Sequence, residues 1–192
     1  MRPMWRFTLA MVVAGTIACE TDPGAPGVAT GPGLAQVGGG TSGRVTGGGH
    51  YDLPGLVVQF SLSAVQHANG NASGQFHQRV DEGGGLVVDI HGTVTCLAVD
   101  PAQHRAWIGG VVTKNTSTDP DLQTAIHQPG RDVWFRVVDY GSGSATPPDR
   151  TTFLGFEGAG GIITSEEYCA ARIWPAGDAR TWPVTGNITV AP

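Results

Sequence analysis

Six histidines offer the first candidate chemistry: His50, His67, His77, His91, His104 and His127. None stands in an H-x-H or H-E-x-x-H arrangement, and the chain has no C-x-x-C, so no local metal motif is present. His77 and His91 fall on adjacent expected strands and can approach each other there. The plainer expectation is scattered surface or half-buried histidine, with no metal and no cofactor. Asp119 and Asp121 share one loop, and Asp139 and Asp149 bracket another. Calcium takes about six to eight oxygens, and these spacings are not those of an EF-hand loop. Asp139 and Asp149 are therefore read as turn anchors that accept backbone N–H groups. Gly141-Ser142-Gly143-Ser144 lacks the G-x-S-x-G spacing of a nucleophile elbow and reads as loop. Successive residues on a strand face opposite ways, so Asp81-Glu82 and Glu166-Glu167 are expected to be solvated rather than paired. The glycine runs at 38–40, 47–49 and 83–85 lack the Lys-Ser/Thr of a phosphate loop.

Those residues must be positioned by strands. Glycine and proline together make 43 of 192 residues, against an ordinary share of about 12%. Both are poor in helix interiors and suit turn-rich β structure. From Arg44 onward, apolar and polar residues alternate with period two in several runs bounded by Gly, Asn, Asp or Pro. Leu56–Val65 places Val58, Phe60, Leu62 and Ala64 on one face. Ser73–Val80 sets Phe76 and Gln78 against Gln75 and His77. Leu86–Val99 is a long strand, bent near His91-Gly92. His104–Lys114 sets Ala106 and Ile108 against Trp107, and Arg131–Tyr140 sets Val133, Phe135 and Val137 against Trp134 and Arg136. Thr151–Phe156 and Thr181–Val190 complete the set, with one helical turn at Leu122–His127 and no helix of three turns. About eight strands with short connections indicate an all-β domain, an antiparallel β-sandwich or a small closed β-barrel. Val45-Thr46-Gly47 and Val184-Thr185-Gly186 are alike and are expected to be neighbours that seal the sheet.

The alternation also defines the candidate ligand residues. Trp107 and Trp134 lie opposite the aliphatic faces of their strands. Either they cover a second core beneath residues 157–183, which is favoured because Trp is usually well buried, or they form an exposed aromatic patch for a sugar or partner. A barrel mouth lined by His77, His91, Arg136 and Asp139 is the other candidate site; no catalytic residue is assigned.

Ahead of the domain, Arg2 and Arg6 precede an apolar run from Phe7 to Ala18 that ends at Cys19. The run is too short to span a bilayer and has the form of a targeting segment over residues 1–18. It resembles a bacterial lipoprotein signal, in which small residues lead into a cysteine that is lipidated and becomes N-terminal; Thr16 stands where Leu is usual. The alternative is a plain secretory peptide cut after Ala18, leaving Cys19 a free thiol. With Cys19 lipidated, as the resemblance implies, Cys96 and Cys169 remain as a pair in an oxidising compartment. Their disulfide would close a loop worth about 4 kcal/mol by chain entropy; otherwise they are two small buried hydrophobes. Residues 19–43, rich in Gly, Pro and Ala, read as a flexible lipid-anchored tether. The formal net charge is −5, or −7 without residues 1–18. This excludes a strongly basic nucleic-acid binder and leaves the lipid as the only membrane contact. In such an exported bacterial protein the N-x-S/T matches at Asn71, Asn115 and Asn187 are fortuitous.

Val45-Thr46-Gly47-Gly48-Gly49, Phe60-Ser61-Leu62-Ser63-Ala64, Ser73-Gly74-Gln75-Phe76, Val94-Thr95-Cys96-Leu97, Ala106-Trp107-Ile108-Gly109-Gly110 and Phe135-Arg136-Val137-Val138-Asp139 form a distinctive ensemble. It resembles a family of small secreted bacterial domains that open on VTGGG. The resemblance covers about residues 44–170, implies an exported all-β module and carries over no catalytic residue. The expectation is thus a non-enzymatic β-domain over residues 44–192, exported to the cell envelope, that binds or scaffolds a protein or glycan partner. A hydrolase or isomerase, or a small-apolar-ligand carrier, with its site in a barrel mouth is the alternative.

Overall fold

The computed structural model describes residues 41–192, residue 144 and the Thr41 side chain excepted. The expected leader, Cys19, the tether up to residue 40 and Ser144 lie outside the described residues. The period-two runs are strands, and they form one antiparallel meander: β1 Thr41–Leu53, β2 Leu56–His67, β3 Ala72–Gly83, β4 Leu86–Asp100 and β5 Arg105–Asn115. β1 starts three residues before Arg44. β6, Asp132–Val138, pairs with β5 on one edge. On its other edge it meets β7, Arg150–Thr151, and then β8, Gly155–Phe156. β9, Trp182–Ala191, joins β7 to β1. The ring β1-β2-β3-β4-β5-β6-β7-β9 is closed, so the sheet is a barrel and not a sandwich. Val45 and Val190 are register partners, as are Tyr51 and Val184, which places the two similar V-T-G segments on neighbouring strands.

Alternation decides what fills the barrel. Val58, Phe60, Leu62, Phe76, Ile90, Ile108, Val133 and Phe135 are among the residues buried in a single core cluster. Phe76 meets Phe135 edge-on at 5.4 Å. A Cβ at Gly92, the register partner of Phe76, would lie 2.0 Å from the Phe76 ring, so the ring occupies the space a side chain would need. Two polar residues also turn inward. The Tyr51 hydroxyl donates to Gln78 Oε1 and to the Thr152 carbonyl, and the Gln78 amide donates to the same carbonyl, all at 3.4 Å. Burial pushes the Tyr51 hydroxyl far above its ordinary range, so it remains a donor. Turning the Thr152 carbonyl towards this pair breaks the strand expected over Thr151–Phe156 into β7 and β8.

Closure depends on two carboxylates. β9 has only Pro183 and Trp182 paired with β7, which ends at Thr151. Beyond them the Val184 N–H donates to the Asp149 carbonyl (2.8 Å), the Ile188 N–H to Asp149 Oδ2 (2.7 Å) and the Val190 N–H to Asp139 Oδ2 (3.0 Å). The other oxygens of these carboxylates accept the N–H groups of Tyr140 (2.9 Å) and Gly141 (2.7 Å). The turn-anchor reading of both aspartates holds. Asp139 is correspondingly withdrawn as a ligand residue, since both of its oxygens are spent on backbone.

The outer wall carries a second, smaller core. The helix α1, Ser165–Ala171, lies against β4, β5 and β6. No helix is expected there from strand periodicity, and Glu166-Glu167 belongs to its first turn. Thr164 Oγ1 accepts the Glu167 N–H, and Glu167 accepts the Ile163 N–H, a reciprocal cap. Tyr168 and Cys169 of the helix form a buried cluster with Ala98, Trp107 and Trp134 of the sheet. The disulfide Cys96–Cys169 ties α1 to β4. Gly109 permits this approach, because a Cβ there would lie 2.5 Å from Cys96 Sγ. Leu122–His127, expected as a helical turn, forms parts of two 3-10 turns, Pro120–Gln123 and Ala125–His127. Asn115 Nδ2 donates to the Leu122 and His127 carbonyls and holds them to β5.

Replacing Asp149 with alanine removes two acceptors and leaves the Ile188 N–H buried without a partner. The expected loss is about 3 kcal/mol of unfolding free energy, read from urea denaturation. A loss below about 1 kcal/mol would show that β9 is held by its pairing with β1 alone.

Candidate functional site

The core cluster fills the inward faces of the strands, and two groupings of chemistry-bearing residues stand at the outer wall. The first is a cleft of about 570 Å³ bordered by β6, the 152–155 segment, α1 and the 173–182 segment. Trp134, Tyr168, Ile162, Leu154, Ile173 and Trp182 contribute to its apolar wall, and Arg136 and the exposed Arg180 supply charge. Trp134 and Arg136 reach it because even-numbered residues of β6 point outward. Trp134 stacks on Tyr168 at 5.7 Å between ring centroids. Trp107 is as buried as Trp134 (3% and 4% exposed) but lies outside the cleft lining; it donates its indole N–H to the Ile173 carbonyl (2.9 Å) and meets Trp174 edge-on. It is structural, as the second-core reading expects, and no exposed aromatic patch forms around it.

Arg136 is the unusual member of the cleft. It is 9% exposed, and its Nη2 donates to the Ala179 carbonyl at 2.7 Å. Its Nε is buried without a partner, and among the described residues no carboxylate lies within ion-pair distance of its guanidinium. The face of Trp174, 5.3 Å away, adds a cation–π contact. The nearby acid is committed elsewhere. Asp178 accepts from the Tyr140 hydroxyl and from the Trp174 indole N–H (2.7 Å), and it pairs with Arg105 at 3.6 Å. The hydrogen bond from Tyr140, joined by that from Trp174, holds the Asp178 carboxyl below its ordinary range despite burial. Burial and then Asp178 push the Tyr140 hydroxyl up. Burial also raises Tyr168, against the opposing charge of Arg136. A buried guanidinium with no carboxylate partner among the described residues, set in an apolar cleft, is an arrangement that an anionic group would complete.

The second grouping lies on β3 and β4. His77 and His91 are direct register partners, and their rings stack at 4.0 Å with 7° between planes. Asp89, two residues before His91 on the same face, sits beneath both. Its Oδ1 lies 2.9 Å from His77 Nε2 and 3.3 Å from His91 Nε2, while Arg79 holds Oδ2 at 2.8 Å. One donor atom from each of the three lies within 4.8 Å of the others, so they could hold a metal ion. Asp89 escapes a search for paired histidines. The available signal is the D-x-H spacing, which puts both side chains on one strand face.

The four residues expected to line a barrel mouth are thus not brought together. His77 and His91 point outward from β3 and β4, Arg136 points outward from β6, and Asp139 seals the β9 seam. No family model, curated protein or solved structure matches this chain.

The histidines make stability depend on pH. Burial, then the charges of His77 and Lys114, hold the His91 imidazole below its ordinary range, against the pull of Asp89. Burial does the same to His127, which packs edge-on against Phe156. Burial would raise Asp89, but the hydrogen bond from His77, with Thr116 and both imidazole charges, brings it below its ordinary value. The unfolded chain therefore binds more protons than the folded one as the pH falls through the ordinary histidine pKa of about 6.5, and stability drops. The contribution of Asp89 is present above about pH 4 and is lost below it, with the same sign. The urea midpoint is expected to rise from about pH 5 to about pH 7, less so in a His91→Gln/His127→Gln variant. An equal rise in wild type and variant would contradict the assignment.

Proposed function

We propose that this chain is an exported, lipid-anchored binding module whose outer cleft takes up a small amphipathic carboxylate. The apolar body of the ligand would lie against Trp134, Tyr168 and Trp182, and its anionic end would meet Arg136. The observation that carries this reading is the Arg136 guanidinium, buried in an apolar cleft without a carboxylate partner among the described residues. A cleft of about 570 Å³ suits a small molecule. Its lining contains no histidine, carboxylate or thiol to act as nucleophile or general base, which favours binding over hydrolysis or isomerisation. The reading keeps the idea of a carrier but moves its site from the barrel mouth to the outer wall.

Export is supported by the arginine-led apolar leader ending at Cys19 and by the disulfide, which persists in an oxidising compartment. Among the described residues no helix is long and apolar enough to cross a membrane. Lipid on Cys19 would be the membrane contact, and a mass measurement of the mature N-terminus should show a diacylated Cys19. An unmodified cysteine there refutes the anchor.

Binding is read from tryptophan fluorescence during titration with medium-chain and aryl carboxylates and their matched amides. The acids are expected to bind and the amides to bind at least about tenfold more weakly. Arg136→Met replaces a buried charge by an apolar side chain of similar reach, which proteins generally tolerate. It should erase the difference between acid and amide while the barrel stays folded. Equal affinity for acid and amide in the wild type would sink the proposal.

A further inference from the structure

The outer-wall grouping on β3 and β4 contributes no residue to the Arg136 cleft. We propose that His77, Asp89 and His91 form a binding site for a divalent first-row transition ion, with zinc the best match. Two imidazole nitrogens and one carboxylate oxygen are a borderline donor set. It favours zinc, copper or nickel over magnesium and calcium, which prefer oxygen donors alone.

The geometry is close to what such an ion needs. Tetrahedral zinc with bonds of about 2.0–2.1 Å sets its donor atoms about 3.4 Å apart. Asp89 Oδ1 lies 2.9 Å from His77 Nε2 and 3.3 Å from His91 Nε2. The imidazoles stack at 4.0 Å with 7° between their planes, so the rings must turn for both Nε2 lone pairs to converge on one ion, while strand register fixes the backbone positions that carry them. His77 and His91 face each other across the β3–β4 ladder, and Arg79 and Asp89 form the neighbouring cross-strand pair. Arg79 on Oδ2 orients the carboxylate so that Oδ1 faces the imidazoles, the outer-shell support that metal ligands commonly have. Ser117 Oγ accepts the Asp89 N–H at 2.9 Å and ties that segment of β4 to the chain after β5.

The site is accessible. His77, Asp89 and His91 side chains are 33%, 16% and 38% exposed. His77 and His91 border a surface groove of about 740 Å³ with Gln75, Thr93 and Lys114. Three protein donors leave a fourth position for water or a group carried into this groove, as in open zinc sites.

The test uses the full chain, treated with chelator and alkylated at Cys19 so that its thiol does not compete. Calorimetric titration with zinc is expected to show one ion per chain and a raised thermal midpoint, with no response to magnesium. The His77→Ala/His91→Ala variant should bind zinc at least about tenfold more weakly and lose the thermal shift. His104→Ala, in the β4–β5 turn, should leave both unchanged. Should the double variant fail to fold, nitrogen NMR of the wild-type imidazoles reads the site directly, with the Nε2 resonances of His77 and His91 moving on zinc addition. Absence of zinc binding, binding that survives the double change, an equal response to magnesium, or unmoved imidazole resonances each overturns the proposal.

Discussion

The row of N–H groups along β9 that finds no strand beside it is the constraint around which this molecule is organised. β7 ends after two residues, and a barrel left open there would expose its core along one seam. Asp149 and Asp139 supply the missing acceptors, so side chains complete what backbone pairing begins. Because the seam closes, the inward residues can pack into a filled interior. With the inward faces filled, the two groupings of chemistry-bearing residues stand at the outer wall.

The outer wall shows two ways of placing charge. At Arg136 the fold buries a guanidinium and offers it an aromatic face and one carbonyl, but no counter-ion among the described residues. At Asp89 the compensation is generous, with Arg79 and two imidazoles around one carboxylate. The helix α1 lends Tyr168 to the cleft, and its disulfide lies outside the lining. The helix is tied to the sheet by Cys96, by the packing of Tyr168 on Trp134 and by the bonds from the Ser165 N–H and hydroxyl to Asp132.

Most of the barrel was legible because a half-buried strand writes its environment as alternation. Val133, Phe135 and Val137 announced their inward face, and Trp134 and Arg136 their outward one. The partnership of β1 with β9 was readable from two short similar segments, and the turn-anchoring bonds of Asp139 and Asp149 from turn chemistry, but not the bonds that the same carboxylates accept from β9. Three more things were hidden. The break at Thr152 answers to Tyr51 and Gln78, which are distant in sequence, and no local pattern carries such a demand. The helix at 165–171 was masked by glycines before it, although Thr164 and Glu167 have the spacing of a reciprocal cap. Asp89 was overlooked because a carboxylate between apolar residues on a strand looks solvated until the opposite strand brings a histidine above it. Choosing between sandwich and barrel required knowing that β5 and β6 pair while β9 returns to β1, a matter of topology and not of composition.

Gly92 and Phe76 share one volume across the β3–β4 ladder, so neither position is free to vary alone. A methyl added at 92 would demand a smaller residue at 76, and that in turn would loosen the edge-on contact with Phe135 on the opposite wall. Divergent copies of this fold should therefore exchange bulk between these two rungs as a coupled trade, and the bare position at 92 records an aromatic ring rather than a turn.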